Sequence, residues 1–133
     1  MARILVVDDN EVVRRIIRQA LEFEGHDVEV AENGNRALDH FRERVADLVI
    51  TDIVMPEKEG IETILELRLL DTDVKILAIS GGGLFSPGAY LSSATLLGAD
   101  GSLAKPFTAR ELIVVVDDLL GDQDHDSKNS ATA

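Results

Sequence analysis

Apolar residues along the chain fall into two kinds of pattern. Residues 4–7 (Ile4, Leu5, Val6, Val7), 48–50 (Leu48, Val49, Ile50) and 74–79 are short runs apolar at nearly every position. Runs of that length, apolar on both faces, predict strands covered on both sides, as in a parallel sheet. Val28-Glu29-Val30 alternates instead, and Leu103-Ala104 is a short strand that stops at Lys105-Pro106. These two predict edge strands.

Helical spacing fills the intervals. Val13, Ile16, Ile17, Ala20 and Leu21 form one stripe over residues 11–24, with Asn10 as N-cap and Gly25 as the stop. After the Asn33-Gly34 turn, Ala37, Leu38, Phe41 and Val45 mark a second helix. The breaker-rich stretch from Met55-Pro56 to Gly60 precedes a third helix over residues 61–70, and residues 89–97 predict a fourth, ended by Gly98. Residues 112–120 are rich in β-branched side chains, which alone would permit a strand. The Thr108 and Glu111 pair, spaced as a capping box, and the Leu112, Val115, Val116, Leu119 spacing decide for a fifth helix. Gly121 is expected to end it, leaving residues 121–133 as a polar tail with too few apolar groups to pack, expected to be disordered.

Strands alternating with helices predict a doubly wound parallel sheet in one domain over residues 1–120. Placing the most apolar strands at the centre gives the flavodoxin-like order 2-1-3-4-5, with its switch point between the first and third strands.

Composition changes this picture only by exclusion. The 133 residues are 45% hydrophobic and 29% charged, enough for a core, with a formal charge of −12 that disfavours a nucleic-acid surface. No cysteine is present, so disulfide and thiol chemistry are excluded. No apolar stretch approaches a membrane span, and the first residues turn acidic too soon for a secretory signal. A cytoplasmic protein is expected.

The candidate chemistry lies at strand ends. Asp8 and Asp9 close the first strand, Asp52 the third, Ser80 the fourth and Lys105 the fifth. In a parallel sheet these ends share one edge, where ligands bind in folds of this kind. Three converging carboxylates repel unless a proton or cation relieves them, and Mg²⁺ suits a few carboxylates with water and phosphate. A carboxylate is also a nucleophile toward phosphorus. Taken singly, each feature has an ordinary reading: Asp8 and Asp9 as helix N-terminal acids, Ser80 as a turn residue, Lys105 as a solvated lysine, Arg14, Arg15 and Arg18 as an exposed face, and His26, His40 and His125 as surface histidines.

Together, Asp8-Asp9, Asp52 with Met55-Pro56 and Gly60, Ser80, and Lys105-Pro106-Phe107 resemble the receiver domain of two-component response regulators, over about residues 3–120. The resemblance implies a stand-alone signalling switch rather than an enzyme. In it Asp52 takes a phosphoryl group from a histidine kinase or a histidine phosphotransfer protein. It further implies Mg²⁺ on Asp9, Asp52 and the Val54 backbone carbonyl, with Asp8 acting through water. Ser80 and Lys105 would contact the phosphoryl group, the Lys105-Pro106 bond would be cis, and output would pass to a downstream protein target or a phosphorelay.

Three departures stand out. Ser102 replaces the usual aromatic switch residue, the Ser80–Lys105 interval is a few residues longer than usual with the excess in the 81–88 glycine loop, and Val54 and Gly82 replace water-orienting polar groups. The last predicts a long-lived phosphoryl state. Two competing readings are a Mg²⁺-dependent phosphohydrolase, disfavoured because Ile53-Val54 supplies no second aspartate after Asp52, and a flavin module, disfavoured by three acids at the switch point. No GxxxxGK[ST] nucleotide loop is present.

Overall fold

The computed structural model describes residues 2–53, 60–71, 73–80 and 98–132. Five strands, β1 (Arg3–Val7), β2 (Asp27–Ala31), β3 (Leu48–Asp52), β4 (Lys75–Ser80) and β5 (Gly101–Ala104), form one sheet. Every pairing is parallel and the order is β2-β1-β3-β4-β5, with β2 and β5 at the edges. The flavodoxin-like order is therefore the one that strand hydrophobicity dictates.

Four helices are present among the described residues: α1 (Glu11–Phe23), α2 (Gly34–Glu43), α3 (Gly60–Leu70) and α4 (Ala109–Thr132). The helix expected over residues 89–97 lies outside the described residues, as do the 81–88 loop, Val54 and Gly82. None of the helices among the described residues is long and apolar enough to cross a membrane.

Alternation along the central strands builds two cores. Leu5 and Val7 of β1 face Ala37, Leu38 and Phe41 of α2 and Ile64 and Leu67 of α3. Ile4 and Val6 face Ile17 and Leu21 of α1 and Leu112 and Val116 of α4. Both faces of β1, β3 and β4 are thus removed from water, which is why their sequences read as continuous apolar runs.

Local signals set the helix ends. The Asn10 side chain accepts from the Val12 and Val13 amides at 2.9 and 3.2 Å. Thr108 and Glu111 cap α4 reciprocally, at 3.1 and 3.0 Å, and this settles the β-branched segment as helix. Gly25 adopts φ +90° while its amide and that of His26 bond back to Glu22 and Leu21, closing α1. Gly121 does not act in this way. Its φ is not among the positive ones, an added Cβ would meet nothing within 4 Å, and α4 continues through it to Thr132. The helix end expected at Gly121 is corrected accordingly: a glycine stops a helix by taking a left-handed turn, and this one stays helical.

One long-range tie escapes sequence reading. Arg68 on α3 donates from Nε and Nη2 to the Gly98 carbonyl at 3.0 and 2.6 Å, from Nη1 to the Val74 carbonyl, and from Nη2 to Asp100 Oδ2 at 2.6 Å. Asp100 Oδ2 also accepts from the Ile76 amide at 2.8 Å, so α3, the start of β4 and the chain entering β5 are knotted at one point.

Candidate functional site

Asp8 follows β1 and is buried; its amide donates to the Ala31 carbonyl at 3.2 Å, and its Oδ1 accepts from the Asn10 amide at 2.8 Å. The Asp8 carbonyl accepts from Arg14 Nη1 at 2.7 Å. One residue is thus fixed by β2, by the helix cap and by α1. Asp9, next in the chain, is exposed.

Asp52 ends β3 and is also buried, only 6% exposed. The backbone beyond it is held by the Ile53 amide on the Ile79 carbonyl at 3.0 Å and by the Gly60 amide on the Ile53 carbonyl at 3.2 Å. Gly60 opens α3 against this turn, where a Cβ would overlap the Asp52 carbonyl oxygen and the Ile53 Cα.

The three acids converge. Asp8, Asp9 and Asp52 each offer a carboxylate oxygen, and these atoms all lie within 4.8 Å of one another. Lys105, just past β5, extends across β4 to them, with Nζ 2.9 Å from Asp8 Oδ2 and 3.0 Å from Asp52 Oδ2. The bond following it, to Pro106, is cis. Of the residues singled out in the sequence, four therefore meet in one pocket. Ser80 ends β4 beside it, its backbone paired with Ala104, while its side chain lies outside the described part, and Val54 is not described. Ser102 is exposed on β5, in register with Ala78.

Three carboxylates against one ammonium leave the pocket anionic. Hard oxygen ligands gathered this closely are compatible with Mg²⁺. Burial acts to lower the Lys105 pKa, but the hydrogen bonds and charges of Asp8 and Asp52 outweigh it and raise the amine above its ordinary value. A raised pKa means the folded state binds this proton more tightly than the unfolded chain. The stabilisation is therefore complete below the unfolded value of about 10.4 and is lost as pH climbs through the folded one. Urea midpoints measured from neutral pH to above about 10.4 should fall at the alkaline end, and Lys105→Met should flatten that fall. An identical alkaline decline in the variant would assign the effect to other groups.

The sheet is five-stranded, parallel and of flavodoxin-like order, with three acids and a lysine at the carboxyl ends of its strands. Residues 4–117 match the response regulator receiver domain family, and the chain belongs to it. It is 35% identical over 118 residues to the chemotaxis protein CheY of Halobacterium salinarum, covering 89% of this chain and 96% of that protein. It is 39% identical over 111 residues to the response regulator MprA of Mycolicibacterium vanbaalenii, covering 84% of this chain and 47% of MprA. The chain therefore spans about half the length of the MprA relatives it matches. In structure it is similar to the chemotaxis regulator CheY4 of Vibrio cholerae, with TM-score 0.81 and 29% identity over 90% of this chain and 98% of that one.

Arg14 is the site-associated residue that sequence reading placed on an exposed face, with kinase docking as the lesser reading. Its acceptor is a backbone carbonyl, which no spacing of polar residues signals.

Proposed function

We propose that the chain is a phosphorylation-dependent switch in which Asp52 accepts a phosphoryl group from the phosphohistidine of a sensor kinase or phosphotransfer protein. The observation carrying this reading is Lys105 Nζ held between Asp8 and Asp52, with Asp9 in the same cluster. A carboxylate oxygen of Asp52 attacks phosphorus as the bond to the donor nitrogen breaks. Asp8, Asp9 and Asp52, with the Val54 carbonyl, are the residues that would hold Mg²⁺, which neutralises phosphoryl oxygens during transfer.

The chain's own part is preorganisation. Burial of Asp52 strips water from the nucleophile, and the bonds fixing Asp8 keep a second carboxylate aimed at the same point. Once Asp52 carries the phosphoryl group as an acyl phosphate, its charge moves outward onto the phosphoryl oxygens, and the Lys105 ammonium follows it. Ser80, at the end of the adjacent strand, is the proposed second contact. Output passes to a protein target or a further phosphorelay step, with Ser102 in place of an aromatic reporter. Slow loss of the phosphoryl group is part of the same proposal.

Incubation with a small phosphodonor and Mg²⁺ should yield a borohydride-reducible aspartyl phosphate mapping to residue 52 by mass spectrometry. Chelation should suppress it, and the phosphoryl group should outlast that of chemotaxis regulators in Mg²⁺ alone. A modification mapping to Asp8 or Asp9 would move the acceptor and sink the assignment.

A further inference from the structure

Most arginines beside the edge strand β2 are paired, Arg3 and Arg44 with Asp27 of the strand itself. Arg15, Arg18 and Arg42 each pair with a carboxylate on their own helix, Glu11 at 3.2 Å, Glu22 at 3.2 Å and Asp39 at 3.7 Å. Arg14 and Arg36 make no ion pair with a carboxylate among the described residues. In a chain with 25 acidic and 13 basic residues, two such arginines side by side call for an explanation.

Both arginines line one open cleft of about 200 Å³ at the carboxyl end of β2, with Val30, Ala31, Glu32 and His40. Glu32 shares this cleft and yet pairs with neither arginine. His40 Nδ1 is 3.3 Å from Glu29 Oε1, itself 2.8 Å from Arg3 Nη2, so Glu29 is already satisfied and does not compete for the cleft. Arg14 is half-buried and uses one N–H on the Asp8 carbonyl, leaving four of the five donors of its guanidinium.

We infer that this cleft binds a compact tetrahedral oxyanion of the phosphate class, gripped by Arg14 and Arg36, with Glu32 accepting the ligand's own O–H. Two guanidinium forks exceed what a single carboxylate needs and suit an anion with three or more oxygens. A carboxylate on the same wall repels a fully deprotonated anion but favours one that still carries a hydroxyl. Hydrogenphosphate meets that condition, as does a phosphomonoester with a neighbouring hydroxyl; sulfate at neutral pH does not. The cleft is separate from the acid pocket, but Arg14 belongs to both through the Asp8 carbonyl, so its occupant is felt at Asp8.

Amide NMR titration of the full chain without Mg²⁺, at constant ionic strength and near-neutral pH, tests this with inorganic phosphate, glycerol 3-phosphate and sulfate. Phosphate should give saturable shifts at Val30, Ala31, Glu32 and Asp8. Sulfate should bind at least about tenfold more weakly, since the site would lose a hydrogen bond it is built to make. Arg36→Ala, at an exposed position, should weaken phosphate binding by about tenfold or more, with the spectrum otherwise retained. Tighter binding of glycerol 3-phosphate would assign the site to a small phosphomonoester, and tighter binding of phosphate to the free ion. Equal responses to phosphate and sulfate, shifts confined to the surroundings of Lys105, or unchanged binding in Arg36→Ala would overturn the inference.

Discussion

Asp52→Asn should take up no phosphoryl group under conditions expected to label the parent chain, yet should fold and melt higher in metal-free buffer. The amide has the size of the carboxylate but no anionic oxygen to attack phosphorus, so the loss in incorporation should be complete to the detection limit. The gain in stability has a separate origin. Asp52 is buried within 4.8 Å of two other carboxylates and shares a single ammonium with Asp8. Removing one negative charge relieves repulsion against both remaining acids, while Lys105 keeps its 2.9 Å partner on Asp8. Phosphate incorporation by gel shift or mass, and melting with and without Mg²⁺, check both halves. Mg²⁺ should raise the melting temperature of the parent more than that of the variant, because the parent offers one more anionic ligand. Labelling that persists in Asp52→Asn, or a variant that melts well below the parent without metal, would contradict the pocket described above.

Gly60→Ala carries the second large effect, and it acts on the backbone. The new methyl group would meet the Asp52 carbonyl oxygen, the Ile53 Cα and, at 2.7 Å, the Asp52 carbonyl carbon. None of these is the movable end of a side chain, so α3 or the end of β3 must shift. The Gly60 to Ile53 hydrogen bond at 3.2 Å is strained at the same time. A cost of about 3 kcal/mol is expected, at the upper end for overpacking, lowering the melting temperature by about 10 °C. Because the displaced segment carries Asp52, Mg²⁺ affinity should fall with stability. Gly121→Ala is the control: it lies inside α4, has no neighbour within 4 Å and needs no positive φ. Alanine there should stabilise by about 0.5–1 kcal/mol. Opposite signs for the same substitution at two glycines separate steric conflict from helix propensity.

These glycines also mark where sequence is a sufficient guide. Strand order was legible because burial on both faces forces continuous apolar runs in β1, β3 and β4, whereas β2, at an edge, alternates. The caps at Asn10 and Thr108 were legible because their partners lie two or three residues away. The convergence of Asp8, Asp9, Asp52 and Lys105 followed from topology, since parallel strands bring their carboxyl ends to one edge. Gly121 misled because glycine only permits a left-handed turn and does not impose one. Arg68 and Arg14 were silent for another reason. Most of their acceptors are main-chain carbonyls, those of Gly98 and Val74 for the first and of Asp8 for the second, and a carbonyl has no residue type to read; the one acidic partner, Asp100, lies 32 residues from Arg68.

The Arg68 knot has a consequence for how this chain tolerates length change. The re-entry into β5 is pinned by Asp100, whose amide donates to the Ile76 carbonyl at 2.8 Å and whose carboxylate holds Arg68. A length change upstream of Gly98 is thus expected to leave the amine at 105 in place.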